Sequence, residues 1–388
     1  MNLLRSLQLL TLVTFAGGVA EAEEPREIRS FYFGNSLTNQ MLIDEHPTLA
    51  AAKGDVWVTQ MCGVAGGRLQ QYVDGMFPDL DNLDVEPTDE KWLEARKAIE
   101  EGDWDVVVIQ PHQVMLEQYA NWLGREIGDI HDGGILVNWI ATSRPESEIL
   151  MYQPWTTPRY TDSQEEPEWD AFDYETYWLR PYSDPPPDDD PFPSRIMRTQ
   201  DYHNKLRQAL QENQAEALGD RTIKVIPVGD ALLELERRLK AGTFVDSQGN
   251  PFTLQVRTVL VDNEEDKNFT GIEVQEVPFE NVNIFYQDFQ HHNSGLPRFF
   301  HSQVFYATIF GKKPVGLDYA GYNVFPYEKE DGTYSMESNV NWRANDNRHF
   351  IEITPELAEA LGELVWDVVT SHPHSGVGNR SGTVVTAE

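Results

Sequence analysis

Five short apolar runs, each followed by a stretch with helical spacing, constrain this chain more than anything else in it. They lie at Ile28 to Phe33, Val56 to Met61, Trp104 to Ile109, Glu148 to Tyr152 and Thr222 to Pro227. Runs of this length suit strands buried on both faces, and the helical stretches between them supply the crossovers that parallel strands need. The pattern predicts an α/β fold, a three-layer α/β/α sandwich around a mostly parallel five-stranded sheet. Helices are expected at Thr88 to Glu101, Trp122 to Thr142, Thr199 to Leu218, Asp230 to Ala241, Leu296 to Phe310 and Pro355 to Thr370. The last has a clear start signal, Thr354 followed by Pro355.

Two segments interrupt the alternation. Residues 156–198 are rich in proline, acid and aromatics and read as a surface excursion. Residues 243–280 read as a hairpin-like insertion, with Ser247-Gln248-Gly249-Asn250 as a turn and alternating residues from Thr253 to Leu260. Residues 371–388 are expected to form a loose tail. The remainder, 23–370, is expected to be one domain carrying both insertions.

The first 22 residues have a basic start (Arg5), an apolar stretch from Leu7 to Ala16 and a small-residue exit at Ala20-Glu21-Ala22. This is the pattern of a cleavable signal peptide, and it predicts a secreted or periplasmic protein with no membrane span after cleavage. The single cysteine, Cys62, lies far from that exit, so no lipid-anchored cysteine begins the mature chain and no intrachain disulfide can form. The formal net charge of −34 argues against nucleic acid as a partner, because phosphate is repelled at long range.

The first apolar run leads into Gly34-Asn35-Ser36-Leu37-Thr38, which sets a serine on a tight turn at the carboxyl edge of the sheet. Open α/β sheets carry their chemistry at that edge. A serine hydroxyl becomes a nucleophile only when an oriented base takes its proton, and Asp288-Phe289-Gln290-His291 offers a carboxylate and an imidazole three residues apart. His292, next along the chain, is the alternative base. Acyl transfer also needs donors for a developing oxyanion. Gly63-Val64-Ala65-Gly66-Gly67, after the second run, and Gln110-Pro111-His112, after the third, place Gly66, Gln110 and His112 at the same edge.

Serine, glycine turn, polar turn and Asp-x-x-His, in that order along an α/β chain, resemble the SGNH (GDSL-like) hydrolase superfamily. The likeness extends over most of residues 28–317. The run from Phe305 through Gly311-Lys312-Lys313-Pro314 to Leu317 and the run Ile149 to Trp155 resemble a secreted bacterial branch of it. The resemblance implies a flavodoxin-like sheet and a serine ester hydrolase working through an acyl-enzyme. It implies Ser36 as nucleophile, His291 as base, Asp288 as orienter and Gly66, with Gly67 as the alternative, as an oxyanion donor. It implies no cofactor and no metal. The chain departs from the family at the third turn, where Gln110 and His112 stand in place of glycine and asparagine.

The aromatics of the first insertion, Trp169, Phe172, Tyr174, Tyr177, Trp178 and Tyr182, suggest stacking on sugar rings and hence an acyl or acetyl ester of a carbohydrate, small-molecule or polysaccharide, as substrate. The plainer reading is that they pin the loop to its own domain. Two rival functions remain from sequence: an inactive carbohydrate-binding protein on the same fold, and a metal-dependent hydrolase built from Asp288, His291, His292 and His112. Oligomeric state is not written in the sequence.

Overall fold

The computed structural model describes residues 24–39, 41, 43–80, 82–112, 116–117, 119–120, 126–156, 172–182, 198–261, 269–286, 292, 294–323, 327–328, 334–335 and 349–378. The expected signal segment, most of the first insertion, and both Asp288 and His291 lie outside the described residues.

The five apolar runs are the five strands of one sheet: β1 (Glu27–Gly34), β2 (Val56–Gly63), β3 (Val106–Ile109), β4 (Glu148–Tyr152) and β5 (Lys224–Ile226). Their order is β2-β1-β3-β4-β5 and every pairing is parallel. This is the doubly wound arrangement whose strand order reverses beside the first strand. Alternate residues face opposite layers. Phe31, Phe33, Val107, Ile109, Ile149, Met151 and Val225 pack on one side, against α3 (Leu69–Met76), α4 (Glu90–Glu101), α5 (Asp129–Ser143) and α7 (Gln200–Asn213). Tyr32, Val106, Val108, Leu150, Tyr152 and Ile226 pack on the other, with α2 (His46–Ala51), α9 (Val228–Lys240), α10 (Leu296–Phe310) and α11 (Pro355–Ser371). The three-layer α/β/α sandwich is therefore the observed fold.

Helix boundaries follow side-chain caps. Asp89, not Thr88, caps α4 by accepting from Lys91 N. Thr199 caps α7 through Tyr202 N, and Thr354 caps α11 through Leu357 N. The single helix expected from Thr199 to Leu218 is broken near Gln214 into α7 and the short α8 (Ala215–Leu218).

The hairpin region holds β6 (Thr253–Val261) and β7 (Phe269–Pro278), antiparallel along their length. They join β8 (Ser294–Gly295) and β9 (His349–Ile351) in a second sheet ordered β8-β9-β6-β7. The Ser247–Asn250 turn is real, but it closes only the isolated bridge between Val245 and Pro251. Asp246 holds that turn by accepting from Gln248 N and Asn250 N, both at 2.8 Å.

The tail is not loose throughout. Residues 372–378 fold back on the sheet, with Val225 N donating to His374 O at 2.8 Å and Ser375 fully buried. The edge of β5 would otherwise expose backbone donors, and the returning chain caps one of them. Residues 379–388 lie outside the described set.

Candidate active site

The exits of β1, β2 and β3 are fastened together by one residue, Asn35. Its backbone N donates to Gln110 Oε1 (3.0 Å), its Nδ2 donates to Gly67 O (3.1 Å), and its Oδ1 accepts from Leu37 N (2.9 Å). With 1 % of its surface exposed, Asn35 satisfies its own buried amide while tying three sequence blocks into one edge. The sequence reading passed over this residue as a turn former.

Ser36 opens α1 (Ser36–Asn39), directly after this knot, and is half-buried. Two turns of chain chemistry hold it there. Thr38 lies so close to Gly34 that a Cβ on Gly34 would meet Thr38 Oγ1 at 2.3 Å, so no larger residue fits that position with the present backbone. Thr38 Oγ1 in turn donates to Gln110 Oε1.

After β2 the chain turns at Val64–Gly67, closed by Gly67 N donating to Val64 O at 2.8 Å. Gly66 occupies the third position of this turn with φ +62, the left-handed region that β-carbons disfavour. The Gly67 amide is thus spent on the turn, which favours Gly66 over Gly67 as the donor from this block.

Gln110, 1 % exposed, accepts through Oε1 from both Asn35 N and Thr38 Oγ1. An oxygen held by two donors fixes the amide orientation, and Nε2 is left without a hydrogen-bond acceptor among the described residues. Its neighbour His112 is half-buried, with Nδ1 3.3 Å from Arg198 Nη1. Guanidinium only donates, so Nδ1 accepts and the neutral ring carries its proton on Nε2.

On the other side of β3 the edge is aromatic. Trp155, fully buried after β4, stacks on His292 at 3.9 Å and on His301 at 4.5 Å between ring centroids. His292 Nδ1 lies 3.1 Å from His301 Nε2, and Tyr286 meets the His292 ring edge-on at 4.4 Å. Burial pushes the His301 pKa down to about 3. The alternative base of the sequence reading, His292, is therefore a fully buried ring within a stack of rings. A base must exchange its proton with substrate and solvent, and this enclosure does not suit that task.

Three of the insertion aromatics are also packed inward. Tyr174 and Trp178, on α6 (Tyr174–Trp178), are fully buried, and Phe172 is 5 % exposed. Trp178 Nε1 donates to Asp230 Oδ1 at 2.7 Å and Tyr174 Oη donates to Gly229 O at 2.9 Å, fastening α6 to α9. Sugar stacking by Phe172, Tyr174 and Trp178 is ruled out by this packing, and the plainer reading holds for them. Trp169 lies outside the described residues.

Among the described residues no group of three or more His, Cys, Asp or Glu side chains is placed to share a metal ion, and no helix is long and apolar enough to cross a membrane.

No family model matches the sequence, and no curated protein matches it. Among solved structures, a DUF4886 family protein from Bacteroides uniformis aligns at 13 % identity, covering 89 % of this chain and 95 % of that one, with a TM-score of 0.46. A putative GDSL-like lipase from Parabacteroides merdae aligns at 11 % identity over 73 % of this chain and 95 % of its own, with a TM-score of 0.33. A putative SGNH hydrolase from Slackia heliotrinireducens aligns at 14 % identity over 53 % and 80 %, with a TM-score of 0.28. At such scores the assignment of the fold rests on the strand order and packing described above.

Proposed function

We propose that this protein is an exported serine ester hydrolase of the SGNH type, with Ser36 as nucleophile, His291 as base and Asp288 as its orienter. The observation that carries the reading is Gln110. Its side-chain oxygen is clamped by Asn35 N, just before Ser36, and by Thr38 Oγ1, two residues after it, so a buried amide donor with no acceptor among the described residues is tied to the turn that carries the candidate nucleophile. A buried unsatisfied N–H is costly, and an oxyanion that forms only in the reaction is the group that repays it. The amides of Gly66 and Ser36 and the Nε2–H of His112 complete the set of candidate donors.

In this scheme His291 accepts the Ser36 proton as Oγ attacks the ester carbonyl. The oxyanion is stabilised by the donors after β2 and β3, and the alcohol leaves with the proton from His291. Water then reverses the sequence on the acyl-enzyme. His291 takes the role of base because His292 is occupied within the ring stack. Acyl esters of carbohydrates belong in the substrate panel, although the aromatic argument for them is withdrawn for the residues seen to be packed inside.

The test is turnover of short aryl esters and acetylated sugars by Ser36→Ala and His291→Ala. Both are expected to lose more than about a thousandfold in kcat, as members of one catalytic unit do. The wild-type rate is expected to rise with pH through about 6.5 as the base loses its proton. Undiminished turnover in Ser36→Ala ends the proposal, and loss in His292→Ala with none in His291→Ala moves the base.

A further inference from the structure

Among the described residues, Arg198 is a buried charge without a counter-charge. It is 4 % exposed, and its described partners are both neutral: Nε donates to Trp155 O at 3.0 Å and Nη1 to His112 Nδ1 at 3.3 Å. Burial pulls its pKa down to about 10, so it stays protonated at neutral pH. The buried Lys312 ammonium, by contrast, sits 2.8 Å from the Asp55 carboxylate, while Arg298 on α10 shares with Arg198 the lack of a carboxylate partner among the described residues. An uncompensated buried guanidinium is expensive, and a fold that needed only packing at this place would be served better by an apolar side chain.

Its surroundings are short of acceptors as well. Tyr152 Oη and Thr156 Oγ1 are fully buried and have no hydrogen-bond partner among the described residues. Tyr152 lies within electrostatic reach of Arg198, and Thr156 follows Trp155, whose carbonyl holds the guanidinium. After Arg198 and the cap Thr199 the chain enters the 14-residue helix α7, so the positive end of that helix adds to the same field. A cation and a helix start, beside the His112 turn at the carboxyl edge of the sheet, make a place for negative charge.

We propose that Arg198 receives a carboxylate of the substrate. The enzyme then prefers esters that carry a negative charge in the acyl or the alcohol part. This rests on the ester-hydrolase reading of the site and adds its substrate class. The planar guanidinium suits a carboxylate through paired N–H donors, and in a dry setting such bonds are strong. The preference runs against the net charge of −34, which repels anions at a distance. Added salt therefore raises kcat/KM for an acidic ester while the contact itself persists.

Two matched pairs of substrates read the proposal on the full chain. One compares 4-methylumbelliferyl acetate with the 4-methylumbelliferyl monoester of succinate, placing the carboxylate in the acyl part. The other compares an O-acetyl methyl glucoside with the corresponding O-acetyl glucuronic acid, placing it in the alcohol part. Wild type is expected to favour the acidic member of at least one pair, and Arg198→Met to lower that ratio of kcat/KM values about 100-fold, the size of a lost charge-assisted contact. Arg198→Lys keeps part of the preference. The ratio is the readout because a general loss of folded protein cancels from it. Equal ratios in wild type and Arg198→Met, or no acidic preference in either pair, overturn the proposal. Should no ester be cleaved at all, titration with succinate and with glucuronate, followed by tryptophan fluorescence, decides the anion site alone. Saturable binding lost in Arg198→Met sustains it, and no binding in wild type overturns it.

Discussion

The two halves of the sheet's carboxyl edge are built from opposite materials. At the exits of β1, β2 and β3 the chain uses small polar residues, and Asn35, Thr38, Gln110 and Gly67 close a set of directed hydrogen bonds around Ser36. At the exit of β4 it uses large rings, with Trp155 stacked on His292 and His301 and Tyr286 against them. Hydrogen bonds fix orientation to a fraction of an ångström and add little net stability. Ring stacks fix position by area and exclude water, and add much more. The polar half is suited to hold reacting atoms, and the aromatic half to hold the cation Arg198 away from solvent.

Trp155→Ala should break the aromatic half and produce the largest effect. Removing a fully buried indole costs about 3–5 kcal/mol, read as a lower urea midpoint at unchanged slope. A loss below about 1 kcal/mol would show that the stack is incidental to stability.

Acid should act on buried histidines, His301 in that stack and His203 on α7, whose Nδ1 bonds Thr199 O. Burial lowers the His301 pKa to about 3 and the His203 pKa to about 4, from an ordinary 6.5. The unfolded chain takes these protons at about pH 6.5 and the folded chain does not, so the unfolded state binds more protons below that pH and stability falls as pH falls. Each histidine costs about 2 kcal/mol by pH 5, or about 4 kcal/mol for the two. Urea midpoints at pH 7.5 and 5 measure it. His301→Gln should flatten the slope, and a slope unchanged by that replacement would contradict a neutral buried imidazole.

Asn35→Ala sharpens the contrast from the polar side. Three hydrogen-bond groups are involved, two of them on the deleted side chain, and the expected loss is about 2–3 kcal/mol. Activity should fall further than stability predicts, because Gly67 and the Ser36 turn lose their common tie. Near-normal kcat in the folded variant would mean that the knot is scaffolding only.

The comparison also explains what could be read in advance. The polar half was largely legible, because Ser36, Gly66 and Gln110 follow their strands at short and countable distances. The role of Asn35 was missed, since its partners Gly67 and Gln110 are 32 and 75 residues away and only the parallel register brings them together. The aromatic half was less legible. His292 was the alternative base to His291, and Tyr174 and Trp178 of α6 read either as platforms for sugar or as packing against their own domain. Residue type reports what a ring can do, while burial decides what it is free to do. Arg198 was not singled out at all, because a lone arginine before a helix carries no signal until its neighbours are known to be uncharged.

The sequence by itself determined the layers. Buried strands need continuous apolar runs and helices need apolar stripes, and these are local patterns that survive without any knowledge of contacts. The tertiary structure alone decided which polar groups lost their water. Burial is a property of the assembled chain, and it set His292 within a ring stack and left, among the described residues, the Gln110 amide without an acceptor and Arg198 without a counter-charge.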